Sequence, residues 1–416
     1  MAVNSTANVG TDLGARPKWG KRIGLPLQIS LFLDHRLLTV ALVLLLWGYV
    51  MMTSASLHLG EDGFYFARRQ LLHLGLGLLA GAMTLAVPLK RWFKLGPLLL
   101  VVGFGLLVAV KLPGIGVTVN GSTRWLNLGG VRVQVSEVFK WIACCYLAGY
   151  VVRHAEELRR RALALYRPLL LLGLGAGLLL WEPDFGAAAI LMATALGVLF
   201  LAGARLLPLL SLLGGLGAAA VGLMISEAYR FRRLEAFLDP FAHAQDSGYQ
   251  LVQALIAFGR GGLFGVGLGN SVQKMFYLPE GHTDFLLAVI GEELGFVGVG
   301  GVGVGFSLLL WRIFAAARLA QLSGQAFGTW LAYGVGIWLG LQVLVNMGVN
   351  LGVLPTKGLT LPLMSYGGGS LVVDCMALGL VLRVYAEARA EVTLRDVSVK
   401  GRHGGLSLQQ GRPWQR

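Results

Sequence analysis

Ten apolar stretches recur along the chain, at about 37–56, 70–87, 95–112, 135–152, 168–182, 185–203, 206–225, 285–314, 326–351 and 369–386. Most approach or exceed the roughly 20 residues that a helix needs to cross a bilayer. In hydrocarbon every backbone N–H and C=O must find a partner inside the protein. Only helices and closed barrels meet that demand. Runs of this length predict an all-α polytopic membrane protein of about ten transmembrane helices. Composition agrees, at 56% hydrophobic and 13% charged, against about 25% charged in soluble domains. The 60 glycines suit helices that pack closely in lipid.

An even number of spans puts both termini on one side. The distribution of the charge behind the net +14 decides which. Most Lys and Arg fall in the N-terminal segment, the 88–94 and 153–167 loops and the C-terminal tail, all on that side. The positive-inside rule makes it the cytoplasm. The basic excess then needs no nucleic acid, and no nucleic-acid partner is expected. The expected organisation is a cytoplasmic segment 1–36, a membrane domain 37–386 and a disordered basic cytoplasmic tail 387–416. Ser54–Ser56 after an apolar run imitates a signal-peptide cleavage site. The long polar lead favours an uncleaved first span. Cys144, Cys145 and Cys375 lie in apolar stretches and have neither disulfide nor zinc spacing.

Two outer segments exceed simple turns: 113–133, and a long one at 226–283 between spans 7 and 8. Within the second, "GYQLVQALIAFGRGG" sets Leu251, Ala254, Leu255 and Phe258 at helical spacing. That pattern predicts an amphipathic helix, either lying in the membrane interface or packed on the loop's own core.

Polar residues gather on this outer side. In "NGSTRWLNLGGVRVQVSEVFK" the glycines mark a hairpin, Ser136 is placed to cap a helix, and Glu137 and Lys140 share a helix face. Arg124 beside Trp125 suits an anionic headgroup, or equally an aromatic belt with a snorkelling neighbour. "GRGGLFGVGLGNSVQK" frees the backbone for close approach, with Lys274 as a diphosphate contact. No βαβ unit surrounds it, so a dinucleotide fingerprint is rejected. In "EGHTDFLLAVIGEELGF" Asp284 stands at the mouth of a span, as catalytic group or helix cap, with Thr283 as the other cap. Glu292 and Glu293 follow, within the bilayer or at its surface. "NLGVLPTKGLTLPLMSYGGGS" breaks an apolar region with two prolines, five glycines and Lys357. Irregular backbone at such depth must be buried in protein or line a wet cavity. "WEPDFGAA" offers Glu182 and Asp184 as caps of the next helix.

In order, "STRWLNLG…QVSEVFK", "EPDFGAA", "YRFRRLEAFLDP", "SGYQL", "GLGNSVQK", "LPEGHTDFLLAVIGEELG" and "PTKGLTLPLMSYGGGS" resemble the SEDS family (shape, elongation, division and sporulation). The resemblance covers about residues 37–386. "LPTKGLTLPLMSYGG" looks like the division branch more than the elongation branch. Val135 departs from a usual Pro and Gly369 from a frequent Ser.

The resemblance implies a bacterial peptidoglycan glycosyltransferase of the inner membrane at the division septum. It would polymerise lipid II at the periplasmic face, with Asp284 as the essential aspartate. Substrate contacts would come from Arg124, Trp125, Glu137, Lys140, Lys274, Glu280, His282, Lys357, Ser365 and Tyr366. A class B penicillin-binding protein and other division proteins would be partners. No cofactor is certain. A divalent cation, magnesium or manganese, would suit the leaving diphosphate, but no ligand cluster marks a metal site. Competing readings are a lipid II flippase and a division scaffold. The short inner loops and elaborate outer ones favour outer-face chemistry over transport.

Overall fold

The computed structural model describes residues 32–59, 62–119, 122–128, 131–225, 232, 235–356 and 358–407. The expected segment 1–36 therefore lies mostly outside the described residues, as do Lys357 and the end of the tail. Each of the ten apolar runs is largely helical. The long helices are α1 (His35–Ser56), α2 (Tyr65–Ala86), α3 (Leu89–Ala109), α4 (Val135–Arg153) and α6 (Ala162–Trp181). They continue with α7 (Phe185–Leu201), α8 (Leu206–Ile225), α10 (Leu286–Leu322), α11 (Ala326–Asn350) and α12 (Gly369–Ser407). Seven described helices are long and apolar enough to cross a membrane, and Phe185–Leu201 is a shorter apolar one. Two of the described helices fall outside those runs: the short α5 (Ala155–Arg160) and α9 (Tyr249–Gly261).

Helix α4 is the core of the bundle. It is buried almost from end to end and packs against α3, α11, α7, α12 and α6. Around it, α2 lies along α12, and α10 lies against α11, α12 and α1. The α2–α12 approach depends on small residues. A Cβ on Gly81 would meet the Cys375 carbonyl at 2.8 Å, and one on Gly379 would meet the Gly81 carbonyl at 2.3 Å. Close backbone approach of this kind is how helices gain dispersion contact in lipid.

Between α3 and α4 a small antiparallel sheet forms from β1 (Gly116–Val119), β2 (Ser122–Leu128) and β3 (Val131–Gln134). The expected β2–β3 hairpin is present, pairing Leu126 with Val133 and Trp125 with Gln134. A third strand, β1, joins it, with Val117 opposite Trp125. Helix α4 begins at Val135 behind Gln134, and Ser136 is buried without a hydrogen-bond partner rather than capping.

Helix α10 is two helices joined at Gly295, whose φ of 67° falls where only glycine sits comfortably. One sequence expectation is narrowed and another changes. Helix α9 turns Leu251, Val252, Ala254 and Ala257 into protein, against the first half of α10. The tail is helical to Ser407 rather than disordered from 387. Packing accounts for it as far as Arg395: Ala388 and Ala390 are buried, Arg383 pairs with Glu387 and Arg395 with Glu391 one turn apart, and Arg395 reaches the Ser323 carbonyl at 2.7 Å.

Candidate active site

Asp284 lies two residues before α10, in a turn fixed by its backbone. Asn346 and Asn350, one turn apart on α11, both donate to the Asp284 carbonyl at 2.9 Å. Asn350 Oδ1 also accepts from the Ala288 N–H at 3.2 Å, serving the open end of α10. The irregular 351–368 segment is tied to the same place. Ser365 Oγ donates to the Thr283 carbonyl at 2.5 Å, the Tyr366 N–H donates to the His282 carbonyl at 3.0 Å, and Asn346 holds the Leu359 carbonyl at 2.6 Å. Gln342, a further turn along α11, holds the Thr360 carbonyl at 3.3 Å. One polar face on an apolar helix thus satisfies the broken backbone that hydrocarbon would not.

Neither sequence candidate caps α10. Phe285 occupies the cap position and makes no side-chain cap bond of its own; the side chain that serves the helix start is Asn350, from α11. Thr283 instead donates to the Glu280 carboxylate at 2.7 Å. The Asp284 carboxylate accepts no side-chain hydrogen bond among the described residues, while Gly358 lies close against it, a Cβ there falling 3.0 Å from Oδ2. Protein surrounds the group although part of the residue stays accessible. Burial pushes its pKa up to about 7. Glu280 and, more weakly, Asp184 push the same way, and Arg124 pulls back. Desolvation disfavours the charged form, and like charges add to that.

Arg124, on β2, is aimed by the turn between α6 and α7. Its Nε donates to the Glu182 carbonyl at 2.9 Å and its Nη2 to the Pro183 carbonyl at 2.7 Å. Asp184 caps α7, accepting from the Ala187 N–H at 3.1 Å, and takes a 3.3 Å bond from Gln134 at the end of β3. Glu182 is not a cap. It is fully buried, both carboxylate oxygens lack partners among the described residues, and burial with Asp184 raises its pKa to about 8. Burial thus favours its protonated form.

His282 and Tyr366 join Phe66 and His73 in a ring cluster. Centroids are 5.0 Å apart for Phe66–His282, 5.6 Å for His282–Tyr366 and 5.9 Å for His73–Tyr366. Burial lowers the His282 pKa, with Glu280 opposing, so this imidazole is neutral at pH 7. Burial raises the Tyr366 phenol, while Arg69 nearby pulls it down.

Asp284, Arg124, Glu280, His282, Ser365 and Tyr366 therefore share one mouth of the bundle. Three other sequence candidates are engaged elsewhere. Glu137 and Lys140 form a buried 2.8 Å ion pair, and Lys140 also donates to Gln342 at 2.8 Å. Lys274 is buried against Glu293 at 2.7 Å. The glycine loop before it spends its N–H groups on protein: Val266 and Gly267 donate to the Glu292 and Glu293 carbonyls, each at 3.0 Å. Trp125 lies on β2 opposite Gln134. Asn346 and Asn350 are site residues with no role expected from the sequence, whereas Asp184 is the cap that was expected and Glu182 is a buried acid in place of one. The spacing of Gln342, Asn346 and Asn350, four apart on an apolar helix, is the signal that marks the first two. Among the described residues no three His, Cys, Asp or Glu gather into a cluster fit to hold a metal.

Residues 34–390 match the model of the FtsW, RodA and SpoVE family, described as cell cycle protein. A relative from Methylococcus capsulatus, named probable peptidoglycan glycosyltransferase FtsW, is 57% identical over 390 residues, covering 93% of this chain and 96% of its own. One of the same name from Coxiella burnetii is 49% identical over 363 residues, covering 86% and 98%. Among solved structures, a chain of a peptidoglycan synthase complex, studied for its coordination of polymerization and crosslinking, is 32% identical. It superposes with a TM-score of 0.68 over 85% of this chain and 97% of that one. The rod shape determining protein RodA of Thermus thermophilus is 31% identical, with a TM-score of 0.61 over 85% and 96%.

Proposed function

The chain belongs to the family of FtsW, RodA and SpoVE cell cycle proteins, and from that premise we propose that it is a peptidoglycan glycosyltransferase in which Asp284 is the general base. The substrate is lipid II, a disaccharide-peptide on undecaprenyl diphosphate, taken at the periplasmic mouth of the bundle. The acceptor sugar hydroxyl gives its proton to Asp284. Its oxygen bonds to the anomeric carbon of the lipid-linked donor, and the bond from that carbon to the diphosphate breaks. Undecaprenyl diphosphate leaves with the electron pair.

The observation that carries this reading is an Asp carboxylate with a pKa near 7 at the same mouth as a held arginine. A carboxylate of ordinary pKa is a weak base for an alcohol, whereas one titrating near the working pH is matched to proton transfer. Arg124, aimed by two backbone carbonyls, supplies positive charge for the departing diphosphate. Such a preorganised charge needs no rearrangement as the transition state forms. His282 and Tyr366 line the approach to Asp284 and would contact the sugar. The likeness to a synthase that coordinates polymerization and crosslinking supports a crosslinking partner here, a class B penicillin-binding transpeptidase; we place the pair at the septum by resemblance to the division branch.

The test is polymerisation of lipid II by purified, reconstituted protein with that transpeptidase present. Asp284→Asn is expected to lower the rate about 10²–10⁴-fold, the range for loss of a general base, while partner binding persists. Undiminished polymer would remove Asp284 from this role. A vesicle assay that detects headgroup translocation without polymer would favour the flippase reading instead.

A further inference from the structure

Residues 262–277, between α9 and the Asp284 turn, are built inside out. Ser271, Gln273 and Lys274 point into protein, and of the uncharged polar side chains only Asn270 is left exposed. Ser271 Oγ donates to Glu292 at 2.5 Å, and the Val272 and Gln273 N–H groups donate to the same carboxylate at 3.0 and 3.1 Å. Lys274, 4% exposed, donates to Glu293 at 2.7 Å and to Ser54 Oγ at 3.0 Å. Apolar side chains point out: Leu263 is 65% and Phe264 80% exposed, and Leu268, Met275, Phe276 and Tyr277 are exposed as well. A loop in water sorts its residues the other way.

The loop is also fastened at a defined height on α10. The Phe296 N–H donates to the Gly262 carbonyl at 2.9 Å, and the Val297 N–H to the Leu263 carbonyl at 3.1 Å. Leu263 and Phe264 therefore stand level with Phe296 and Val297. Those two are themselves exposed and continue into Val304, Leu308 and Trp311, the outward-facing length of α10.

We propose that residues 262–277 are a re-entrant loop whose outer side is immersed in the acyl chains of the outer leaflet. The occupant is bilayer hydrocarbon, because the exposed apolar side is continuous with that of a membrane-spanning helix. Non-helical backbone is tolerated at such depth when protein satisfies it, and the Glu292 and Glu293 contacts do so here. The immersion does not rest on the proposed function.

The experiment places a nitroxide at Leu263→Cys, Phe264→Cys and Leu268→Cys in the full chain in lipid nanodiscs. Collision with oxygen, which partitions into lipid, is compared with collision with a water-soluble nickel chelate. Val297→Cys is the lipid reference and Asp246→Cys, an exposed polar position, the aqueous one. Cys144, Cys145 and Cys375 are buried, and unlabelled-background spectra come from the unsubstituted chain. The oxygen-to-nickel ratio at the three loop sites is expected to match that at Val297 and to lie well above that at Asp246. Ratios like that at Asp246 would overturn the proposal. So would shielding from both reagents, which would mean that a protein surface covers the loop. Neither result depends on whether the protein polymerises lipid II.

Discussion

At Asp284 two opposing demands meet in one side chain. A base must be ionised to accept a proton, yet its surroundings favour the neutral form: burial and Glu280 raise the pKa to about 7, and Arg124 only partly offsets them. The consequence for activity is a pH profile whose acid limb lies near 7, not near 4. Polymerisation rate should fall about tenfold for each pH unit below that value, as the ionised fraction falls. A profile flat from pH 5 to 8 would contradict it. Stability runs the other way. The folded pKa exceeds the unfolded value of 3.8, so the native state holds a proton that the unfolded chain has lost between those pH values. Stability contributed by Asp284 is full below about 3.8, declines as pH rises, and is lost above about 7. Asp284→Asn should therefore melt higher than the parent at pH 8, even as it loses activity. At this scale the sequence was legible where chemistry stood out against apolar neighbours, as at Asp284 and Arg124. For Asn346 and Asn350 it offers only their four-residue spacing on an apolar helix, because the backbone carbonyls that they bond are brought near only by the fold.

Helix α10 shows what the element scale adds. Its apolar run was plain in the sequence, but Glu292 and Glu293 could be placed either within the bilayer or at its surface. Gly295 divides the helix, and both acids sit in the first half, fully buried and paired. They fasten the 262–277 loop and the end of α1: Glu292 accepts from three loop groups, and Glu293 takes Lys274 and Ser54. Removing one member of a buried pair strands the other, at a cost of about 3–5 kcal/mol. Lys274→Met is thus expected to lower the melting temperature substantially in detergent. The double variant Lys274→Met with Glu293→Gln should recover much of the loss, since no charge is then stranded. If the single and double variants melt alike, the pair is not what holds the loop. Helical periodicity identified α9 correctly, but periodicity cannot say what covers an apolar face. Here protein does. The same limit applies to α12, where basic residues beyond 386 read as a free tail, yet alanines buried against the bundle carry the helix onward.

Across the whole molecule, polar contacts separate into two ends. At one end Arg312 pairs with Asp34 at 2.7 Å, Arg383 reaches the Leu85 carbonyl at 3.3 Å, Glu387 takes the Leu89 N–H at 3.1 Å, and Arg395 holds the Ser323 carbonyl. At the other lie Arg124, Asp184, Glu280 and Asp284. The first is cation-rich and ties helix ends to carbonyls. The second mixes acids and cations around an accessible aspartate. This division follows from the alternation of apolar runs and basic loops, which is why the architecture was legible without any structure. Orientation then follows from the basic end, because Lys and Arg in short loops are retained in the cytoplasm. A cysteine at Gln245, in the long loop on the Asp284 side, should react with a membrane-impermeant thiol reagent in cells whose inner membrane is intact and whose outer membrane is permeable. A cysteine at Glu156, in the basic loop around α5, should react only once the inner membrane is opened. Both positions are exposed, so access to the reagent is limited by the membrane and not by the fold. The reverse pattern would put Asp284 on the cytoplasmic side, away from any glycan strand growing outside the cell. The proposed chemistry would then have no acceptor.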